Sequence, residues 1–218
     1  MTSNRATRIY ASTLGVLVGL AGVQHGVFEF LQGNVRPDNI MIDAIGPEQK
    51  LWEFAIETAL TIIPSFLISG ILSMILGVLV TIWAVAYVDT KYGAPVLLFL
   101  SIALFLVGGG FAPIFLTVLA FVAAMQINKP HKFWRSRAPV GIRNLMAKLW
   151  PWTLIVSVVS FVIAVEIAIF GDPVSGLVGA ETAYLIQFSL GLAMLILAIV
   201  ALPAANAHDA LNHEDPSS

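Results

Sequence analysis

Apolar runs about one membrane thickness long alternate with short polar segments along this chain. The first, "YASTLGVLVGLAGVQHGVFEFLQ", follows a tail holding Arg5 and Arg8 and predicts a helix over about 10–32. It is longer than the core of a signal peptide, and no small-x-small cleavage site follows, so it reads as a retained first span. "SFLISGILSMILGVLVTIWAVAYV" predicts a second span over 65–88, with Pro64 suited to its first turn. Residues 95–127 could form one overlong helix or two short ones. Three glycines and a nearby proline in "VGGGFAP" favour a break, giving spans 95–110 and 111–127. Spans over 153–170 and 183–202 complete the set.

The polar segments carry their own patterns. Residues 33–50 are rich in Gly, Pro, Asn and Asp and read as a loop. In "LWEFAIETALTII", Trp52, Ile56, Ala59 and Ile63 share one helical face while Glu53 and Glu57 share another. That spacing predicts an amphipathic helix over 51–63, at the interface or leaning on the bundle. Ile142, Leu145, Met146 and Leu149 form an apolar stripe with Arg143 and Lys148 off it, which predicts an in-plane helix. Trp150 and Trp152 fit an interfacial belt. The chain therefore reads as an all-α integral membrane protein: one bundle of about six transmembrane helices over 1–206, with a disordered cytoplasmic tail over 207–218. No internal repeat argues for the inverted architecture common among transporters.

Composition supports the solvent assignment. Of 218 residues, 58% are hydrophobic and 11% charged. A soluble domain carries about 25% charged residues, so this chain lacks the polar surface to cover a water-soluble globule. The absence of cysteine excludes disulfides, thiolate catalysis and Cys-type metal centres. A net charge of −2 gives no footprint for nucleic acid.

Charge also orients the chain. With a hairpin at "VGGGFAP", both termini share a side with Arg5, Arg8, Lys91, Lys129, Lys132, Arg135, Arg137, Arg143 and Lys148. Only Arg36 and Lys50, of 11 Lys and Arg in all, fall on the other. The positive-inside rule then selects six spans with both termini cytoplasmic. The two short spans reach only about 25 Å each, which suits little tilt or a thinned bilayer. Size and texture suit a small prokaryotic plasma-membrane protein. The basic loop 128–148 reads first as a topology signal and second as a site for anionic lipid.

The most specific pattern lies on the first helix. Gly15, Gly19, Gly22, Gly26 and Gly33 fall within about 60° of one another at 100° per residue. Such a stripe lets a second helix approach closely; the alternative is a glycine-lined substrate path. Glu29 lies on the same stripe, three residues after Gly26, and His25 about 40° from Glu29, one turn inward. Gln187, Glu166, Ser69 and Ser73 fall in the same outer layer. Ionisable groups inside a membrane are costly and mark functional sites, so these six side chains form the candidate polar pocket. One feature opposes full convergence: Ser157, Ser160 and Ala164 make the small-residue face of span five, and Glu166 points away from it.

Chemistry beyond this is sparse. His25, Glu29 and Glu166 resemble a catalytic zinc set in residue type, but no HExxH or paired-His spacing accompanies them, and no metal or cofactor is expected. His208 and His213 read as a solvated tail. No Walker, GxSxG or dinucleotide motif occurs. The expectation is a small transporter-like or ligand-binding protein with an outward pocket, in which His25 and Glu29 hold a proton or cation. A structural or accessory subunit, as a homo-oligomer or beside a partner, is the first rival. A membrane-embedded enzyme is the second.

Overall fold

A computed structural model describes residues 4–212. Its helices are α1 (Arg5–Leu31), α2 (Phe66–Ala86), α3 (Gly93–Leu106), α4 (Ala112–Ala124), α5 (Lys132–Ser136), α6 (Val140–Phe170), α7 (Asp172–Val178) and α8 (Ala180–Asn212). Two short strands, β1 (Met41–Asp43) and β2 (Thr58–Leu60), form an antiparallel hairpin in the α1–α2 connection. Four helices (α1, α2, α6 and α8) are long and apolar enough to cross a membrane. The chain is an integral membrane protein.

The helices alternate in direction, as their paired contacts require. Gly19 of α1 meets Gly77 of α2, and Gly26 meets Gly70, so α1 and α2 run antiparallel. A Cβ on Gly26 would come within 2.6 Å of the Gly70 carbonyl oxygen, and one on Gly70 within 2.5 Å of the Gly26 oxygen. Gly15 meets Ala84 of α2 and touches Leu97 of α3, while Gly22 turns to Leu104 of α3. The α1 stripe thus fills the groove between α2 and α3. Where lipid tails are as apolar as leucine, such close backbone approach supplies the association through van der Waals contact. Beside it, α6 and α8 pair through small residues, and the Ser157 hydroxyl donates to the Met194 carbonyl at 2.9 Å. Tyr10 ties the two halves together by donating to the Ala198 carbonyl at 2.8 Å.

The break between α3 and α4 falls in the Gly-rich segment. Gly108 and Gly110 have φ of +111° and +87°, a region that L side chains avoid. The turn does not lie on the surface: Val107 to Gly110 are buried. At 14 and 13 residues, α3 and α4 reach about 21 and about 20 Å, well short of a hydrocarbon core of about 30 Å. Their turn therefore stops inside the bundle. The α1–α2 connection covers it: the Phe111 N–H donates to the Thr58 carbonyl at 3.2 Å, and the Ile62 N–H to the Leu106 carbonyl at 3.0 Å.

Three expectations are corrected. Residues 51–63 are not an amphipathic helix. Residues 58–60 pair in register with β1 (Ile42 opposite Ala59). Trp52 is buried because its indole donates to the Ala168 carbonyl at 3.0 Å and its ring covers Gly171. Tertiary partners for the backbone override the helical spacing, and Ile56, expected on the apolar face, is exposed.

The in-plane helix over 140–149 is not separate: α6 runs unbroken from Val140 through Pro151 to Phe170. The tail expected to be disordered from 207 is helical through Asn212, because Asn206 and Asp209 find partners. Asp209 accepts from the Ala6 and Thr7 N–H groups at 2.9 and 2.8 Å and from the Thr7 hydroxyl at 2.7 Å. Asn206 donates to the Gln126 side-chain oxygen at 2.6 Å. His208 packs on Trp150. The expectation for His213 and the end of the tail falls outside the described residues.

Candidate functional site

The polar layer lies at the end of the bundle covered by the β-hairpin. His25 and Glu29 project from the last two turns of α1 and are 3% and 0% exposed. They do not pair with each other. The His25 Nε2 lies 3.4 Å from Oε2 of Glu57, a residue of the covering segment just before β2. Its Nδ1 is buried without a hydrogen-bond partner.

Glu29 is sealed against the Gly-rich turn. A Cβ on Gly108 would strike the Glu29 carboxylate, and one on Gly110 would come within 2.5 Å of the His25 Nε2. The two left-handed glycines are what allow the turn to lie on this pair. Neither Glu29 oxygen receives a hydrogen bond. The adjacent Ser69 hydroxyl instead donates to the Val107 carbonyl at 2.6 Å.

Ser73 donates to the same carbonyl at 2.7 Å, and Thr61 lies 2.7 Å from Ser69. The two serines therefore anchor the turn at its first residue and do not line a cavity. Buried hydroxyls placed this way satisfy backbone that α3 can no longer satisfy once its helix ends.

A cavity of about 380 Å³ lies between α1, α4, α6 and α8. Its polar end is formed by Gln24, His25, Glu57 and Gln187, and its walls are apolar, with Phe161, Val165 and Leu195 among them. Besides the His25 Nδ1, the Gln24 Nε2 and Gln187 Oε1 are buried without partners. Native proteins leave very few buried polar atoms unpaired, and here three belong to residues around one void.

Of the six residues expected in a polar pocket, the structure brings His25 and Gln187 to the cavity. It seats Glu29 behind the turn and uses Ser69 and Ser73 as anchors. Glu166 is exposed on the far face of α6 and lines no part of the cavity. Sequence reasoning missed Gln24 and Glu57. Gln24 was legible as an amide inside an apolar run. Glu57 was assigned to the wrong element, so its approach to His25 had no signal. Among the described residues, no group of three His, Asp or Glu side chains converges to hold a metal.

Fold and site together define a helical integral membrane protein with an intramembrane cavity that has one polar end. No protein-family model, curated protein or solved structure matches the chain.

Proposed function

We propose that this chain is a protein of a prokaryotic plasma membrane, with four crossing helices and a re-entrant α3–α4 hairpin in place of two full spans, that binds a small ligand in a pocket in the outer half of the bilayer, in the manner of a small transporter or ligand receptor. Two observations support the orientation. The antiparallel order of the helices brings Thr7 and Asp209, near the two ends of the described chain, into contact, so both ends share one side. The basic residues cluster there, which makes that side cytoplasmic and the β-hairpin end external.

The observation that carries the ligand reading is the group of unpartnered buried atoms on Gln24, His25 and Gln187 around the cavity. Leaving such an atom unpaired costs about 1–3 kcal/mol. A polar molecule seated there would remove that cost.

Gly191 gives a clean test. It lines the cavity, and a Cβ on it meets nothing within 4 Å, so Gly191→Leu fills space without overpacking. Native mass spectrometry of protein purified in mild detergent should find a small molecule on the wild type that Gly191→Leu lacks, while the variant melts no lower. Identical spectra for the two proteins would sink the pocket and leave the accessory-subunit reading.

A further inference from the structure

We propose that the cavity takes an uncharged amphipathic lipid, with a head bearing hydroxyl or carbonyl groups on a single apolar chain, which enters sideways from the bilayer between α4 and α8. This inference rests on the pocket reading above and adds the class of ligand and its route.

The route follows from which lining residues are exposed. Phe115 of α4 and Phe188 and Leu192 of α8 line the cavity, yet are 58%, 62% and 51% exposed. In a membrane helix, exposed apolar side chains of this kind face lipid, so the cavity wall is continuous with the lipid-facing surface. The covering segment and the Gly-rich turn close the other direction, because Gly108 to Gly110 are buried beneath it. A water-soluble ligand would have to pass that cover. A lipid needs only to push aside the side chains of Phe115 and Phe188.

The polar end selects the head. Gln24 offers an unused N–H donor and Gln187 an unused carbonyl acceptor, and the His25 Nδ1 can serve either way. A hydroxyl can both donate and accept, and an ester or ketone oxygen can accept, so such a head can complete all three. The titratable side chains lining the cavity are His25 and Glu57, and they face each other at 3.4 Å. Among the described residues no Lys or Arg lines it, and the imidazole that could meet a phosphate or carboxylate is already apposed to Glu57. The Glu57 oxygen that would attract a cationic head is already apposed to the imidazole.

Size limits the rest. About 380 Å³ lies at the lower end of the range for small-molecule pockets, about 300–1,000 Å³. It holds a head and the start of a chain, with the remainder trailing through the gap into the bilayer.

The test uses purified full-length protein and four probes: monooleoylglycerol, free glycerol, oleate and oleylamine. Binding is followed by native mass spectrometry and thermal shift. Monooleoylglycerol should bind one to one and raise the melting temperature. Gly191→Leu should abolish that binding. Gln187→Leu, which removes one acceptor, should weaken it about tenfold, the effect of one lost hydrogen bond.

If Gly191→Leu binds monooleoylglycerol as well as wild type, the lipid is merely annular and the proposal falls. Free glycerol binding as tightly would overturn the lipid class and leave the pocket standing. Oleate or oleylamine binding more tightly than monooleoylglycerol would overturn the uncharged head and keep the lateral route. If no probe binds, the inference fails, and the mass comparison of unsupplemented wild type and Gly191→Leu decides separately whether a pocket ligand exists.

Discussion

The imidazole of His25 faces the carboxylate of Glu57, 3.4 Å away, and not that of Glu29, which lies one helical turn along the same helix. A pairing within α1 would have been local and indifferent to the rest of the fold. The pairing with Glu57 instead joins a membrane helix to the segment that covers it. Glu57→Gln should therefore act on both. We expect a lower melting temperature together with greater proteolytic sensitivity in residues 33–65. Unchanged proteolysis alongside the lower melting temperature would mean that the contact does not hold the cover in place.

Glu29 behaves differently: its polar neighbour, the Ser69 hydroxyl, already donates to the Val107 carbonyl and is not stranded when the carboxylate is removed. Removing one half of a hydrogen-bonded pair strands the other half, whereas removing a solitary buried polar group relieves a cost. Glu29→Leu should raise the melting temperature in detergent, and Glu29→Gln should leave the fold intact. If the proton or cation role holds, both changes abolish proton flux in proteoliposomes over pH 5 to 8. A fall in melting temperature for Glu29→Leu would reveal a partner and return Glu29 to a packing role. Flux that survives Glu29→Gln would end the proton role.

Gly108→Ala and Gly110→Ala should each destabilise the protein. Both combine a left-handed φ with a Cβ aimed at Glu29 or His25. Overpacking alone costs about 1–3 kcal/mol. Gly191→Ala is the control, since its Cβ enters open space. Thermal melts that fail to separate the turn variants from the control would show that the turn is not seated on the pair.

Asp209→Ala should be among the most damaging changes at the other end of the bundle. It removes the acceptor for two backbone N–H groups, each worth about 1–3 kcal/mol when stranded, while the Thr7 hydroxyl keeps the Asn206 oxygen at 2.9 Å. Asp209→Asn keeps one acceptor oxygen and should lose less. The measurement is thermal unfolding of both beside wild type; equal melting of all three would mean that water replaces the carboxylate.

Orientation is open to single introduced cysteines, because the chain has none of its own. Glu48→Cys and Gly176→Cys, both exposed, should react with an impermeant reagent in intact cells. Ser136→Cys should react only after permeabilisation. The reverse pattern would invert the topology.

The sequence made the membrane helices legible because their signal is composition over about 20 residues, which no local contact overrides. The α3–α4 break was legible for a similar reason: three glycines leave the backbone no preference for continuing a helix. The α1 stripe was readable as a surface for close approach, but not that it would serve two neighbours at once. What could not be read depended on distant partners. Residues 51–63 have helical spacing, yet Trp52 answers to Ala168 and Thr58 to Asp43. The polar end of α8 looks like tail until Asp209 meets Thr7. In the site, the amides of Gln24 and Gln187 were visible as residue types, while the approach of Glu57 required the covering loop to be folded first.

The clasp between Asp209 and the start of α1 sets an order of events. Ala6 and its acceptor are separated by 203 positions, so the first turn of α1 has no acid to complete it until α8 has been made. Until then the opening turn of α1 must borrow water or headgroup oxygens. Contacts of such long sequence separation form late. Helices α1 to α7 are therefore all made before the opening turn of α1 can be tied down by Asp209.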